Sequence, residues 1–278
     1  MSLALGTLLV PFDGSAPAYA AAKHARLLAE HTGATVILAY VLPDRALLAD
    51  FGVGGEARTD ATAMLEAEAK AFPGKTEIRL LEGDPPEAIA AEADRAGADV
   101  IVLGSRGRSP IVGIVLGSTT REVLQAATRP VLVAHEDVDA ITTVLAGVER
   151  DVVALRVAEA AATVARACQA RLVLVNVVDA DPDLVAEPER FGIAAPVWKE
   201  ALARHAERVF GPLRPLAPGA AEELRYGNAA GELRDAAEAH GAELLVVARK
   251  GSAGLDVDAW FSVASTLAVR GPFATLVV

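Results

Sequence analysis

The sequence is poor in the residues that would give it an easily named chemistry. It has one cysteine, Cys168, so it cannot form an intramolecular disulfide or a zinc site of the multi-thiolate kind. Its 26 basic residues stand against 37 acidic ones, a net charge of −11, which disfavours a nucleic-acid backbone as partner. No apolar run approaches the ~20 residues of a membrane span. The start, Met1-Ser-Leu-Ala-Leu-Gly, has neither the basic opening nor the cleavage site of a secretory signal, so a cytoplasmic protein is expected. The five histidines are scattered and pair with no other ligand, which leaves no candidate metal site. There is no Gly-x-x-x-x-Gly-Lys-Ser loop and no Gly-x-Ser-x-Gly elbow.

What the sequence does have is a repeat. Residues Thr7 to Val41 lie over Thr143 to Val177 at a constant offset of 136, and Leu80 to Ala134 over Leu224 to Val278 at 144. Glycines stay in step: Gly83 meets Gly227, Gly97 meets Gly241 and Gly107 meets Gly251. The rise in offset places an eight-residue insertion between Val177 and Leu224. With Pro182, Pro188, Pro196, Pro212, Pro215 and Pro218, that stretch reads as loop around one short helix. A chain of 278 residues thus divides into two domains of ~140 each, 1–137 and 141–278, joined by a short linker.

Within the first half, apolar runs at Leu8–Val10, Thr35–Val41, Glu77–Leu81, Val100–Leu103 and Val131–Ala134 alternate with helical patterns. Those patterns fall near Ala16–His31, Arg58–Ala71, Pro85–Ala96 and Thr119–Ala127. Strands separated by helices predict an α/β domain with a parallel, doubly wound sheet and helices on both faces. Ligands of such sheets bind at the carboxyl ends of the strands. Two ends carry unusual residues here: Val10-Pro-Phe-Asp-Gly-Ser after the first strand, and Val102-Leu-Gly-Ser-Arg-Gly after the fourth. Gly104 and Gly107 would let a loop approach a ligand where a Cβ would clash. Gly117 and Ser118 open the last helix, whose N–H groups and positive dipole end suit an anion. Ser118 is equally suited to capping that helix, and Asp13-Gly14 to forming a turn. Arg106 and Arg108 add positive charge beside the loop.

Gly104, two residues, Gly107, nine residues and Gly117-Ser118 together resemble the nucleotide-binding signature of the ATP-binding universal stress proteins. The Val-Pro-Phe-Asp-Gly-Ser start and the Thr128-Arg-Pro-Val-Leu-Val ending are similar to that family too, and the likeness covers the chain twice. It implies two five-stranded parallel sheets of order 3-2-1-4-5. It also implies ATP as ligand, with Mg²⁺ or Mn²⁺ as companion ion. By position, Asp13 would meet the ribose hydroxyls, and Pro11 and Val41 would line the adenine pocket. Leu103, Gly104 and Gly107 would follow ribose and phosphates with Arg106 beside them, though each loop arginine singly reads equally as a solvated surface residue, and Gly117, Ser118 and Thr119 would hold the phosphates. The likeness further implies that the halves pair within one chain through their last strands, Val131–Ala134 and Thr275–Val278; a homodimer of whole chains stays open.

The second half departs from the signature. Glu149 stands for Asp13, Arg150 for Gly14, Ala248 for Gly104, Phe261 for Gly117 and Val263 for Thr119. Asp256 and Asp258 would repel a polyphosphate, while Arg249 and Lys250 keep some positive charge. The expectation is a nucleotide-binding stress or regulatory protein with one site; a slow ATPase and a ligand-free assembly module are the alternatives. Cys168, Trp198 and Trp260 read as packing residues, His31 and His240 as helix-end residues, and Glu66, Glu68 and Glu200 as solvated helix faces.

Overall fold

Leu8-Leu9-Val10 offers no polar side chain to either face, and such a run makes a stable strand only where both faces of the sheet are covered. The computed structural model describes residues 3–43, 54–105, 117–135, 138–149, 152–249, 263–270 and 273–278. In it this run is the middle of β1 (Thr7–Pro11), with all three residues at 0 % exposure. Around it lie β2 (Thr35–Leu42), β3 (Thr76–Glu82), β4 (Val100–Gly104) and β5 (Val131–Ala134), all parallel, in the order β3-β2-β1-β4-β5. Leu9 faces Ile37 on one side and Ile101 on the other. The five expected strands agree with these to one residue at either end.

The helix Ala16–Thr32 begins on Ser15, whose hydroxyl accepts the Ala18 N–H at 3.4 Å, and stops on Gly33 at φ 69°. Right-handed crossovers put it and the helix Gly54–Ala69 on one face, and Pro85–Arg95 and Ser118–Ala126 on the other. The second pair pack against each other. The first pair are tied by Arg26, whose Nη1 lies 2.6 Å from Glu68 Oε1 and whose guanidinium carbon sits 5.5 Å from the Phe72 ring centre. Glu68 is therefore not on a solvated face: it is 9 % exposed. It shares a buried stripe with Ala61 and Leu65, three positions at helical spacing. Glu66 and Glu200 are exposed as expected.

Contacts divide the chain into two compact units, built mainly on Leu3–Ala140 and mainly on Ile141–Leu267. The second half of the chain repeats the first strand by strand: β6 (Thr143–Gly147), β7 (Arg171–Val178), β8 (Ala221–Tyr226), β9 (Leu244–Val247) and β10 (Ala274–Val277). Their order is β8-β7-β6-β9-β10, again 3-2-1-4-5. β10 starts one residue before the expected Thr275, and beyond it the Val278 N–H donates to the Val247 carbonyl at 3.0 Å.

Local devices repeat as well. Asp99 Oδ2 accepts the N–H groups of Gly6 and Thr7 at 2.8 and 2.9 Å, clasping the start of β1. Glu243 Oε2 accepts those of Thr142 and Thr143, both at 2.9 Å, and so clasps the start of β6 in the same way.

The stretch between Val177 and Leu224 differs from its expectation. It holds a short helix Pro182–Ala186, a single tight turn Pro188–Phe191 and a sixteen-residue helix Ala195–Phe210. Pro182, Pro188 and Pro196 stand in first turns, where a missing N–H costs nothing and φ is already helical, so these prolines start elements rather than break them. Cys168 is buried at the end of the helix Val152–Cys168, and burial pushes its thiol up to about 11. Trp198 is half-buried, and Trp260 lies outside the described residues. Among the described residues no helix is long and apolar enough to cross a membrane.

Candidate functional site

β1 and β4 are neighbours whose onward connections leave in opposite directions, which opens a crevice beyond their carboxyl ends. Past β1 the chain is held by the Phe12 N–H, donated to the Ala39 carbonyl at 2.8 Å. The Phe12 ring is buried edge-on to Tyr19, centres 4.9 Å apart. That anchorage leaves Asp13 exposed at the rim. Its Oδ1 accepts the Ser15 N–H at 3.0 Å, so the turn-forming use of Asp13 is realised by that oxygen. Gly14 follows at φ +74°, and a Cβ there would stand 2.9 Å from Met64 Sδ. Pro11 and Val41, at the ends of β1 and β2, are half-buried.

Leu103 is buried at the end of β4, and Gly104 follows it at the rim. A Cβ on Gly104 would lie 2.1 Å from the Pro17 carbonyl oxygen and 2.3 Å from its carbon. The sequence suggested that this glycine admits a ligand; what fills its missing side chain is the first turn of the helix Ala16–Thr32.

The helix Ser118–Ala126 has Gly117 as its N-cap, at φ −60° and ψ 147°, and no side chain among the described residues caps it. Ser118 does not cap it, because Ser118 is already the first helical residue and a capping residue must be extended. Among the described residues the first-turn N–H groups thus have no side-chain cap, at the positive end of the helix dipole. Ser118 is exposed, Thr119 half-buried and Gly117 buried. Thr120, overlooked in the sequence, is buried, and its hydroxyl donates to the Gly104 carbonyl at 2.9 Å. Its signal was present: a second threonine follows Thr119, and the repeat has Ala264 in its place. Gly104 is therefore a junction, touched by Pro17 from the Asp13 side and by Thr120 from the side of the helix Ser118–Ala126. Arg106, Gly107 and Arg108 lie outside the described residues.

The Thr128-Arg129 pair of the ending motif anchors the helix Pro85–Arg95. Thr128 Oγ1 and Arg129 Nε donate to Asp94 Oδ1 at 2.8 and 3.0 Å. The hydroxyl first, then the guanidinium, hold the Asp94 carboxyl below its ordinary range. His135, just past β5, is pushed down to about 4 by burial and then by the neighbouring His24. Among the described residues no three His, Cys, Asp or Glu side chains could jointly hold a metal ion.

At the same strand ends of the second unit the chemistry differs. The Val148 N–H donates to the Val175 carbonyl at 2.9 Å, matching Phe12 and Ala39, and Glu149 is exposed. Asn176, in the place of Tyr40, is buried; its Nδ2 donates to the Val148 carbonyl at 2.8 Å and its Oδ1 lies 2.9 Å from His205 Nε2. Sequence reasoning missed this pair because the His205 helix lies in the proline-rich stretch it read as loop around one short helix. Arg150, Lys250, Asp256, Asp258 and Phe261 lie outside the described residues.

Fold and strand-end features define a tandem of doubly wound α/β domains with a ligand-type crevice at the switch point. The model of the Universal stress protein family matches residues 5–135 and again 140–278, and the chain belongs to that family. The universal stress protein in the QAH/OAS sulfhydrylase 3′ region of Thermus aquaticus is 33 % identical over 134 residues, 46 % of this chain and 98 % of that one. A universal stress protein of Methanocaldococcus jannaschii is 30 % identical over 138 residues, covering 46 % of this chain and 81 % of that one. The crystal structure of a universal stress protein from Archaeoglobus fulgidus shares the fold at a TM-score of 0.71 and 20 % identity, covering 98 % of both chains.

Proposed function

We propose that this stress-response protein binds one adenine nucleotide, ATP, in its first unit, and holds or senses it rather than turning it over quickly. The observation that carries the reading is the junction at Gly104, which sets a helix N-terminus with no side-chain cap beside the Asp13 turn at the β1–β4 crevice. In this reading Oδ2 of Asp13 accepts from the ribose hydroxyls, and Pro11 and Val41 border the adenine. Leu103, Gly104, Arg106 and Gly107 follow the ribose and phosphates, and the N–H groups at Gly117, Ser118 and Thr119 meet phosphate oxygens. A divalent ion would arrive with the nucleotide. The second unit, with Ala248 and Ala264 at the matching places, serves fold and assembly, and the two halves pair through their last strands. Cleavage in the linker near Asp139 should then leave the halves co-eluting on a sizing column.

Calorimetric titration with ATP and Mg²⁺ is the test, with one site per chain expected. Asp13→Ala should weaken binding by about 1–3 kcal/mol, the scale of hydrogen bonds lost to a bound ligand. Glu149→Ala should leave affinity unaltered. Two equivalent sites, or no binding by the unaltered chain, would refute the reading.

A further inference from the structure

The Thr120 hydroxyl could serve either the fold or the site, and the repeat distinguishes the two. A buried hydroxyl bonded to a strand-end carbonyl could simply hold its helix in place. Yet the second half of the chain builds the corresponding helix, Ala264–Arg270, with alanine where Thr120 would be. There the main chain suffices: the Leu267 N–H donates to the Val263 carbonyl at 2.9 Å. So the helix forms at this place in the fold without the hydroxyl. The hydroxyl is present in the unit that keeps Gly104 and Gly117, and absent where these are Ala248 and Phe261.

Resting on the nucleotide reading above, we propose that Thr120 is a positioning residue for phosphate recognition. As the third residue of the helix it stands one turn from the N-cap Gly117, and its bond ties that turn to the last residue of β4. The tie sets the distance and angle between the two glycine positions of the phosphate loop. It also engages a lone pair of the Gly104 carbonyl, reducing the negative potential that this oxygen presents near an incoming anion. Both effects act on phosphates and neither acts on the nucleoside, so the contribution of Thr120 should grow with the number of phosphates.

The experiment measures dissociation constants of ATP, ADP and adenosine for the full chain and for Thr120→Val and Thr120→Ser, with circular dichroism and melting recorded for each. Thr120→Val keeps the shape and removes the donor. It should weaken ATP by roughly tenfold, on the scale of one hydrogen bond beside a charged ligand. ADP should weaken less, and adenosine less than about twofold; Thr120→Ser should restore ATP binding. Equal weakening of all three ligands, or no weakening, overturns the proposal. So does failure of the valine variant to fold, because the hydroxyl would then be structural. Absence of ATP binding by the unaltered chain removes the nucleotide reading itself and this proposal with it. Adenosine binding retained with ATP lost only in the valine variant leaves the nucleotide reading intact and supports the role of Thr120.

Discussion

Replacing Gly104 by alanine adds one methyl group and should do disproportionate damage. That Cβ would stand 2.1 Å from the Pro17 oxygen, 2.3 Å from its carbonyl carbon and 2.6 Å from its Cβ, where ordinary contact begins near 3.4 Å. One of the two backbones must therefore retreat by about 1.3 Å, and neither obstacle is a side-chain tip that could swing aside. On one side is the end of β4, held to β5 by the Gly104–Ala134 register. On the other is the first turn of a helix whose residues Ala18, Ala21, Ala22 and Ala25 are all buried. Overpacking of this kind costs about 1–3 kcal/mol, and the backbone origin of the clash argues for the upper end. For a unit of this size that is a fall in melting temperature of about 5–10 °C. Calorimetry and urea midpoints of Gly104→Ala measure it, with Ala248→Gly as the control, expected to cost no more than about 1 kcal/mol. ATP affinity should drop with the melting temperature, because the displaced helix turn starts at Ser15, whose N–H holds Asp13 Oδ1. A Gly104→Ala protein melting within about 2 °C of the unaltered chain would show that the packing argument is wrong.

Acid should weaken the protein through His135. Its folded value near 4 lies below the ordinary 6.5, so between those pH values the unfolded chain takes up a proton that the folded chain refuses. Stability should therefore fall as pH drops across that window, by up to about 3 kcal/mol, and His135→Gln should flatten the slope. Equal slopes for both proteins in denaturation at pH 7, 5.5 and 4 would exclude His135 as the cause. Glu68→Ala should cost about 1–3 kcal/mol, since it leaves the partly buried Arg26 without that carboxylate, and Glu68→Gln should cost less. A loss below about 0.5 kcal/mol for the alanine variant would place Glu68 among ordinary surface residues.

The strands were legible because a doubly covered parallel sheet demands continuous apolar runs, and those runs have few other uses. Glu68 was misread because its charge was weighed and its spacing was not: it falls at helical intervals from Ala61 and Leu65. The stretch between Val177 and Leu224 was misread because proline breaks helices in their interiors and favours them at their starts, and Pro182, Pro188 and Pro196 all stand at starts. At the site, residue types were legible and their roles were not. A glycine that admits a ligand and one that admits Pro17 look alike in a sequence. A serine after a glycine leaves open which of the two is the cap, and only backbone angles assign Gly117.

The repeat separates what the fold requires from what the site requires, because the two sets lie at opposite ends of the strands. At the amino ends the units agree in device even where residues differ. Asp99 and Glu243 clasp β1 and β6 through the same pair of N–H groups, and a longer side chain serves equally well. The Ala98 and Ala242 N–H groups donate to Ala93 and Ala237 at the same 2.8 Å. At the carboxyl ends the main-chain anchors persist, Phe12 to Ala39 and Val148 to Val175, but the side chains diverge. Gly104 faces Ala248, Thr120 faces Ala264, and Tyr40 faces a buried Asn176 bonded to the Val148 carbonyl and to His205. Gly104 is tied to the fold by Pro17, which fills the space of its missing side chain; were the Thr120 hydroxyl needed for folding, the second half, with the same strand order, would need it too. It folds without that hydroxyl, and among the described residues there Asn176 and His205 are directed to each other.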